Sequence, residues 1–335
     1  MLEEYMADST KSPGLPQTRT RPITQLSVVT PTLKRPEEVR ALLHNLSVQT
    51  VLPSEVILVD GIPDTESETE YVVSKLRADL PFAIKFIRHG GGTAVQRNIG
   101  IEVATGDLIA LIDDDVRLGP QFFEQMVNVL QESPNADVGG VVGFRTNCHF
   151  ALERSPRWRW YRRLGLLSLF EPGRYDFECG YPINAGLQPP FTGVRAVDIM
   201  TTACAVWRRE VFDSGLRFDE FFRDFGVLED AHFALRARRK WRLLQCGDAH
   251  CIELHSPNGR EDRTKIGFKS VVNYYYVFRD ISGPLSRSQK FRFWRFQAFE
   301  AIRIMSSALR RMNASDIADL RGRARGVWKI LTSDL

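Results

Sequence analysis

The sequence predicts an α/β protein in which helices cover both faces of a mostly parallel sheet, followed by a C-terminal helical extension. Two observations predict this class. Short β-branched runs alternate with segments of helical spacing between residues 25 and 132. A change to basic, helix-patterned sequence then follows residue 260. No segment repeats at a period of about 20–50 residues, which excludes a solenoid or a propeller.

The predicted elements follow one another regularly along the chain. Strands are expected at 26–30, 55–60, 83–88 and 107–113, and helices near 36–46, 66–79, 93–104 and 120–132. Pro31 bounds the first strand, and Pro36 lies where a first helical turn would begin. A strand-like run at 197–207, a helix from about residue 228 and a strand at 242–246 complete the pattern.

Composition changes divide the chain into three parts. Residues 1–24 are polar and contain three prolines, which indicates a flexible arm. Residues 25–259 would form the main α/β domain, and residues 260–335 a basic helical extension. Within the domain, residues 145–195 are rich in Arg, Trp, Pro and Gly, and only 158–170 has helical character. We expect this insertion to form a lid or an acceptor loop.

The overall composition indicates a globular protein of the cytoplasm. Hydrophobic residues make up 43% and charged residues 26% of the chain. The five cysteines are scattered without a C-x-x-C pair, so we expect reduced thiols rather than disulfides or a zinc site. No apolar run of about 18 residues predicts a membrane-spanning helix, and the N-terminal sequence is not typical of a signal peptide.

The charge distribution is uneven. Residues 260–335 contain 16 Lys or Arg and 7 Asp or Glu, whereas the first 259 residues contain 29 and 34. A basic end favours an anionic membrane surface or nucleic acid as partner. Since no nucleic-acid reader motif accompanies it, we expect no nucleic-acid partner. A peripheral contact with the inner face of the membrane stays open.

One segment of the extension, residues 291–311, allows two interpretations. Apolar residues such as Phe291, Trp294 and Ile302 follow helical spacing, and Arg292 and Arg295 lie between them. A wide apolar face with arginines is typical of a helix in a membrane interface. The same face could instead pack on the α/β domain while the arginines are solvated.

Three adjacent carboxylates, Asp113, Asp114 and Asp115, follow the fourth predicted strand. They repel one another unless a cation neutralises them. Oxygen-only ligation suits Mg²⁺ or Mn²⁺, which often bridge to substrate phosphates. The alternative is an acidic turn that caps the next helix.

Three weaker features each have a functional and a purely structural interpretation. Glu229 and Asp230 begin a predicted helix, where acids also stabilise the helix dipole. His250 and His255 lie near a predicted strand end. Each could be a metal ligand, or simply a packed or surface residue. The glycines at 90–92 precede a helix and could cradle phosphate, or could form a flexible turn.

Together, these motifs are more specific than each alone. They are, in chain order, LSVVTPTLKRPEEVRALLHNLSVQT, EVILVD, GGGTAVQRNIGIEVATGDLIALIDDD, LEDAHFALRAR and ELHSP. This order resembles the nucleotide-sugar glycosyltransferases of family 2, which have the GT-A fold, over about residues 25–260. The resemblance implies an inverting, divalent-metal-dependent enzyme. It would move a sugar from a nucleotide-sugar donor, commonly UDP-linked, to a glycan or lipid-linked acceptor in bacterial surface polysaccharide or glycoconjugate synthesis.

The resemblance also assigns catalytic and metal-binding residues by position. The family's D-x-D motif falls on Asp113 and Asp115, the implied ligands of Mn²⁺ or Mg²⁺, and His255 of H-S-P would lie beside that metal. The acidic pair near the acceptor falls on Glu229 and Asp230, with Asp230 as general base. One base and one displacement give inversion. The two opposed carboxylates that hydrolases use are not required.

A donor pocket follows from the same comparison of motifs. Its implied residues are Pro31, Thr32, Arg35, Asp60, Arg97, Asp113 and Asp114. The first three match P-T-x-N-R, in which Lys34 takes the place of the usual Asn. Asp60 and Gly61 match part of D-D-G-S, and Arg97 matches the arginine of A-R-N-x-G.

Two other functions stay open at this point. A sugar nucleotidyltransferase has a similar fold, but it usually has a Gly-rich loop and Lys directly after the first strand, where TPTLKR stands here. A non-catalytic module could bind anionic membrane surfaces through its C-terminus. The acids at 113–115 and 229–230 argue against that module.

Overall fold

A computed structural model describes residues 25–62, 67–132, 137–148, 155–223, 226–254 and 262–333, apart from the side chains of Leu187 and Arg311. The predicted arm at 1–24 and the predicted ligand His255 lie outside the described residues. The strands are β1 (Leu26–Thr32), β2 (Glu55–Asp60), β3 (Ala83–Arg88), β4 (Leu108–Ile112), β5 (Val116–Leu118), β6 (Val138–Arg145), β7 (Tyr175–Asp176), β8 (Tyr181–Pro182), β9 (Val194–Val197), β10 (Cys204–Arg208) and β11 (Arg242–Glu253). The helices are α1 (Pro36–Ser47), α2 (Glu68–Leu76), α3 (Thr93–Val103), α4 (Phe122–Gln131), α5 (Pro156–Arg163), α6 (Arg209–Asp213), α7 (Glu229–Ala237), α8 (Arg263–Ser282), α9 (Arg287–Arg311) and α10 (Ala314–Thr332).

One mixed, mostly parallel sheet forms the centre of the fold. Its order among the described strands is β3-β2-β1-β4-β10-β6-β11-β5, and β9 pairs with β11. Strands β1 to β4 pair in parallel, as do β6 and β11. Strand β10 is antiparallel to β4 and β6, and β5 and β9 are antiparallel to β11. The predicted α/β class is therefore confirmed, and the first four strands and their helices lie where the sequence predicts them.

The sheet opens between β1 and β4 at their carboxyl ends. Strand β1 pairs with β2 as far as Thr32 but with β4 only as far as Val29. Pro31 lies in the stretch that β4 does not pair, where its missing N–H breaks no ladder. It therefore lies inside β1 and does not bound the strand as predicted. Because β2 and β4 flank β1 on opposite sides, this crevice is the topological switch point, where ligands of such sheets bind.

Several other elements also differ from the prediction. Strands β5 and β6 were not predicted, and the run at 197–207 is divided between the end of β9 and the strand β10. Strand β11 continues to Glu253, so His250 lies within it. The sequence does not predict β6 because the segment VGGVVGF is rich in glycine, which is uncommon inside strands. A Cβ on Gly140 would lie 2.6 Å from the ring of Trp207, so close packing of the sheet requires glycine there.

The predicted helix at 158–170 ends early, since α5 stops at Arg163 and Gly165 adopts a φ of +55°. Left-handed backbone after a helix is typical of a helix C-terminus. The tyrosine Tyr161 of α5 donates a 2.6 Å hydrogen bond to Glu300 of α9, and its ring lies 5.1 Å from that of Phe296. Helix α9 therefore supports the insertion directly.

The C-terminal helices pack on the rest of the protein. Gly322 of α10 is so close to α8 that a Cβ there would collide with the carbonyl oxygen of Thr264. On α9, Phe293 and Phe296 are buried, whereas Leu309 is exposed. Packing on the protein body thus holds for one side of α9. Within the described residues, no helix combines the length and the apolar character needed to cross a bilayer.

Candidate active site

The crevice between β1 and β4 gathers several predicted site residues. Thr32 Oγ1 donates to Asp114 Oδ2 at 2.7 Å. Arg35 Nη1 donates to Asp114 Oδ1 at 2.7 Å and lies 3.6 Å from Asp115 Oδ2. Residues that are 79 to 82 positions apart in sequence are thereby joined, because the carboxyl ends of the two strands are adjacent.

The three aspartates have different environments. Asp114 is 2% exposed, and its burial raises its pKa to about 6 despite Arg35 and Thr32. It therefore connects the ends of β1 and β4. The side chain of Asp113 is 31% exposed and that of Asp115 is 12% exposed. Of the three carboxylates, Asp113 is thus the most exposed and Asp114 the most buried.

Asp113 and Asp115 fit a hard divalent cation by their chemistry. Mg²⁺ and Mn²⁺ prefer oxygen ligands, and Mg²⁺ is often held by one or two carboxylates plus substrate phosphates and water. No cluster of three or more His, Cys, Asp or Glu side chains suited to a metal occurs within the described ranges. Two aspartates together with a donor diphosphate and water would still supply the oxygen ligands that such an ion needs. Whether His255 takes part stays a prediction.

Arg97 links this crevice to the second acidic group. Its side chain is only 4% exposed; Nη2 donates to Asp113 Oδ1 at 2.8 Å and Nη1 to Glu229 Oε1 at 2.6 Å. Burial opposes its charge, but Asp113 and Glu229 together raise the pKa of Arg97, so the guanidinium stays charged. Thr93 Oγ1 donates to the same Glu229 oxygen at 2.6 Å. Both terminal nitrogens of Arg97 thus donate hydrogen bonds to carboxylates of the protein itself. A contact between Arg97 and the nucleotide stays a prediction.

The start of α7 is held in an uncommon conformation. Leu228, the residue before Glu229, has a φ of 72°, in the left-handed region that costs a bulky residue about 1–3 kcal/mol. Asn273 of α8 donates a 2.9 Å hydrogen bond to the carbonyl oxygen of Val227 and so fixes this segment. A Cβ on Gly226 would collide with Glu229. Such strain is typical of functional sites.

Asp230 faces a cavity of about 310 Å³. Burial, and then the charge of Glu229, raise its pKa to about 6, while the Ala231 N–H donates to Oδ1 at 2.7 Å and opposes the rise. Arg145 and Tyr181, from the 145–195 segment, and Tyr274 of α8 also line the cavity. The structure therefore places part of the predicted acceptor loop beside the predicted base.

Asp60 lies at the end of β2, fully buried. It accepts hydrogen bonds from Ser67 Oγ at 2.5 Å and from the Ile62 N–H at 3.3 Å, and burial raises its pKa. Sequence reasoning missed Gln96, whose Nε2 donates to the carbonyl oxygens of Thr32 at 2.9 Å and Val59 at 2.7 Å. Its position one residue before Arg97 was the available signal.

The structure also gives the local geometry of the other residues discussed from sequence. Lys34 has a φ of 53°, a left-handed conformation that Asn tolerates better than Lys. Gly91 and Gly92 have φ of 107° and 87°, so the turn before α3 requires them without any ligand. His250 is exposed. The buried histidine His232, not singled out from sequence, has Nε2 2.9 Å from Asp280 Oδ2 and a pKa lowered by burial.

Comparison with known proteins identifies the relatives of this arrangement. The model of the family described as "Glycosyl transferase family 2" matches residues 27–214. An uncharacterized glycosyltransferase of Haemophilus influenzae is 33% identical over 110 residues, which cover 33% of this chain and 36% of that protein. Glucosyl-dolichyl phosphate glucuronosyltransferase of Haloferax volcanii is 32% identical over 117 residues, 34% of this chain and 36% of that protein. The matched regions thus span little more than a third of either relative.

The fold is also similar to that of a solved enzyme. The mannosyltransferase PcManGT from Pyrobaculum calidifontis, solved in complex with GDP-Man and Mn²⁺, superposes with a TM-score of 0.56 at 15% identity. The superposition covers 92% of this chain and 88% of that chain. The GT-A fold implied by the sequence resemblance is confirmed.

Proposed function

Because this chain belongs to glycosyl transferase family 2, whose model matches more than half of it, we propose that it is an inverting, Mn²⁺- or Mg²⁺-dependent glycosyltransferase. It moves a sugar from a nucleotide-sugar donor to a glycan or lipid-linked acceptor in surface polysaccharide or glycoconjugate synthesis. The first donors to test are UDP-linked sugars. One observation carries the proposal. Arg97 joins Asp113 of the crevice to Glu229, and the neighbouring Asp230 faces a cavity.

The crevice between β1 and β4 receives the donor in this proposal. Thr32 and Arg35 orient Asp114 there, and the side chain of Arg35 is 17% exposed, so in this proposal it also contacts the diphosphate. Asp113 and Asp115 would hold the divalent ion, and that ion, when bound, would offset the negative charge that develops on the leaving diphosphate. The Mn²⁺ and GDP-Man of the mannosyltransferase complex support this arrangement by analogy of fold.

Asp230 acts as the base on the acceptor side. As an acceptor hydroxyl oxygen attacks the anomeric carbon, its proton passes to Asp230, and the bond from that carbon to the diphosphate oxygen breaks. With a pKa of about 6, Asp230 is ionised at neutral pH yet more basic than an exposed aspartate. Glu229 is already bonded to Arg97 and Thr93. Glu229 therefore positions Asp230 and raises its pKa. A single displacement at the anomeric carbon gives inversion.

In this proposal the acceptor binds in the cavity beside Asp230. Its volume of about 310 Å³ lies at the lower end of ligand pockets, and the aromatic rings of Tyr181 and Tyr274 offer faces against which a sugar can pack. The dolichyl phosphate in the name of the Haloferax volcanii relative supports a lipid-linked acceptor. Five free cysteines support the cytoplasmic side as the place of reaction.

A panel of nucleotide sugars tests the proposal. Each donor is incubated with the protein, Mn²⁺ and a lipid-linked or oligosaccharide acceptor, and the released nucleoside diphosphate is measured with and without chelator. We expect chelator-sensitive release that Asp230→Asn lowers by about a hundredfold or more. Formation of pyrophosphate from a nucleoside triphosphate and a sugar phosphate would instead establish the nucleotidyltransferase alternative.

A further inference from the structure

Helix α9 has apolar side chains on two different sides. The inner side is buried against the rest of the protein and includes Phe293, Phe296 and Ile304. The outer side is exposed: Phe291 is 66%, Ile302 59%, Met305 48% and Leu309 76% accessible. A helix that merely packed on the catalytic domain would place polar residues on this outer side.

The outer residues form one continuous stripe. Phe291, Ala298, Ile302, Met305 and Leu309 follow one another at spacings of seven, four, three and four. At about 100° per residue they fall within an arc of about 60°, over a length of about 27 Å. Single exposed apolar residues are ordinary on proteins, but a continuous exposed patch marks an interaction surface.

The surroundings of this stripe are basic. Helix α9 itself contains seven Lys or Arg and one Asp or Glu. The single acid of α9, Glu300, is 2% exposed and bonded to Arg157, Tyr161 and Arg303, so it offers no negative charge to the outer surface. Arg287 precedes the stripe, and Lys290 and Arg310 flank it, all three exposed.

We propose that the outer face of α9 binds the surface of an anionic lipid bilayer, with the helix lying in the plane of the membrane. Its apolar stripe enters the boundary between headgroups and acyl chains, and the flanking bases meet the anionic headgroups. A second copy of the chain is a poorer occupant, since a symmetric pair would bring two basic rows together. The inference concerns a partner of the protein and holds independently of its donor or acceptor.

The structure also decides which basic residues can serve this contact. Arg303 bonds to Glu300 at 3.0 Å, Arg295 donates to the carbonyl oxygen of Gly165, and Arg292 lies 3.9 Å from Glu178. These arginines therefore contribute to internal contacts, and replacing them would mix stability with binding. Arg287, Lys290 and Arg310 are better choices, because all three are exposed and the hydrogen bond from Arg310 Nε to the carbonyl oxygen of Ser306 stays on the exposed surface of α9 itself.

Flotation of the full chain with vesicles tests the proposal. The vesicles are phosphatidylcholine alone or phosphatidylcholine mixed with phosphatidylglycerol, at low and high salt. We expect binding that requires phosphatidylglycerol and weakens with salt. The triple change Arg287→Gln, Lys290→Gln and Arg310→Gln should lower the partition coefficient about a hundredfold.

The apolar stripe is tested separately. The triple change Ile302→Ser, Met305→Ser and Leu309→Ser should weaken binding at least about tenfold without lowering the melting temperature, because these side chains are exposed. The matched control, Val48→Ser with Tyr71→Ser, removes apolar residues 65% and 64% exposed elsewhere and should bind normally. Equal binding to neutral vesicles, or no binding, would overturn the proposal. So would a dimer, seen by light scattering, that the stripe variant dissociates.

Discussion

Replacing Arg97 by Gln should destabilise the protein by about 3 kcal/mol, mainly through Glu229. Removing one partner of a buried ion pair costs about 3–5 kcal/mol because the other charge stays buried. The Arg97 and Glu229 side chains are 4% and 9% exposed, so that cost applies to this pair nearly in full. Asp113 is 31% exposed and water screens it, so the second pair should contribute about 1 kcal/mol or less.

A double-mutant cycle measured by urea unfolding separates the two pairs. Arg97→Gln combined with Glu229→Gln should recover much of the lost stability, because no unpaired charge then remains buried. Arg97→Gln combined with Asp113→Asn should recover little. Arg97→Lys should restore only part, since one ammonium group cannot reach two carboxylates with the geometry of a guanidinium.

The opposite ranking would refute this reasoning. If the coupling energy with Asp113 exceeded that with Glu229, the link between the crevice and α7 would be an exposed ion pair rather than a buried one. If Arg97→Gln unfolded at the same urea concentration as the wild type, the network would contribute nothing to the fold. Arg97 would then have no role in stability despite its contacts with both acids, and donor binding would be the role left for it.

Three further outcomes test the site. Asp230→Asn should keep nucleoside diphosphate binding but lower turnover by about a hundredfold or more, as initial rates with saturating donor would show. Because Asp230 must be ionised to accept a proton, the rate should fall as pH drops through about 6, and Glu229→Gln should move that fall to lower pH by removing a negative neighbour; a flat profile from pH 5 to pH 8 would exclude Asp230. Asp115→Ala should lose Mn²⁺-dependent nucleoside diphosphate binding in calorimetry with an unchanged melting temperature, and retained binding would remove Asp115 from the metal site.

Sequence could predict those parts of the site that depend on strand ends. The first four strands have strong β-branched runs, and the carboxyl ends of parallel strands meet at one edge, so Thr32 and Asp114 could be expected near each other. The bridge from Arg97 to Glu229 spans 132 residues, and no local pattern reports such a contact. The left-handed backbone conformation of Leu228 could not be predicted either, because tertiary packing rather than local propensity imposes it.

The C-terminal extension is coupled to the candidate site on two sides. Helix α8 holds the start of α7 through Asn273 and contributes Tyr274 to the cavity. The inner side of α9 packs against Tyr181 of the cavity wall, whose ring lies 4.4 Å from that of Phe296. If the outer side of the same helix meets a membrane, one helix thickness separates the bilayer surface from the wall of the cavity. A lipid-linked acceptor could then present its sugar to Asp230 while its lipid stays in the bilayer. The basic helix α9 would in that case hold the acidic site close to the membrane that contains the acceptor.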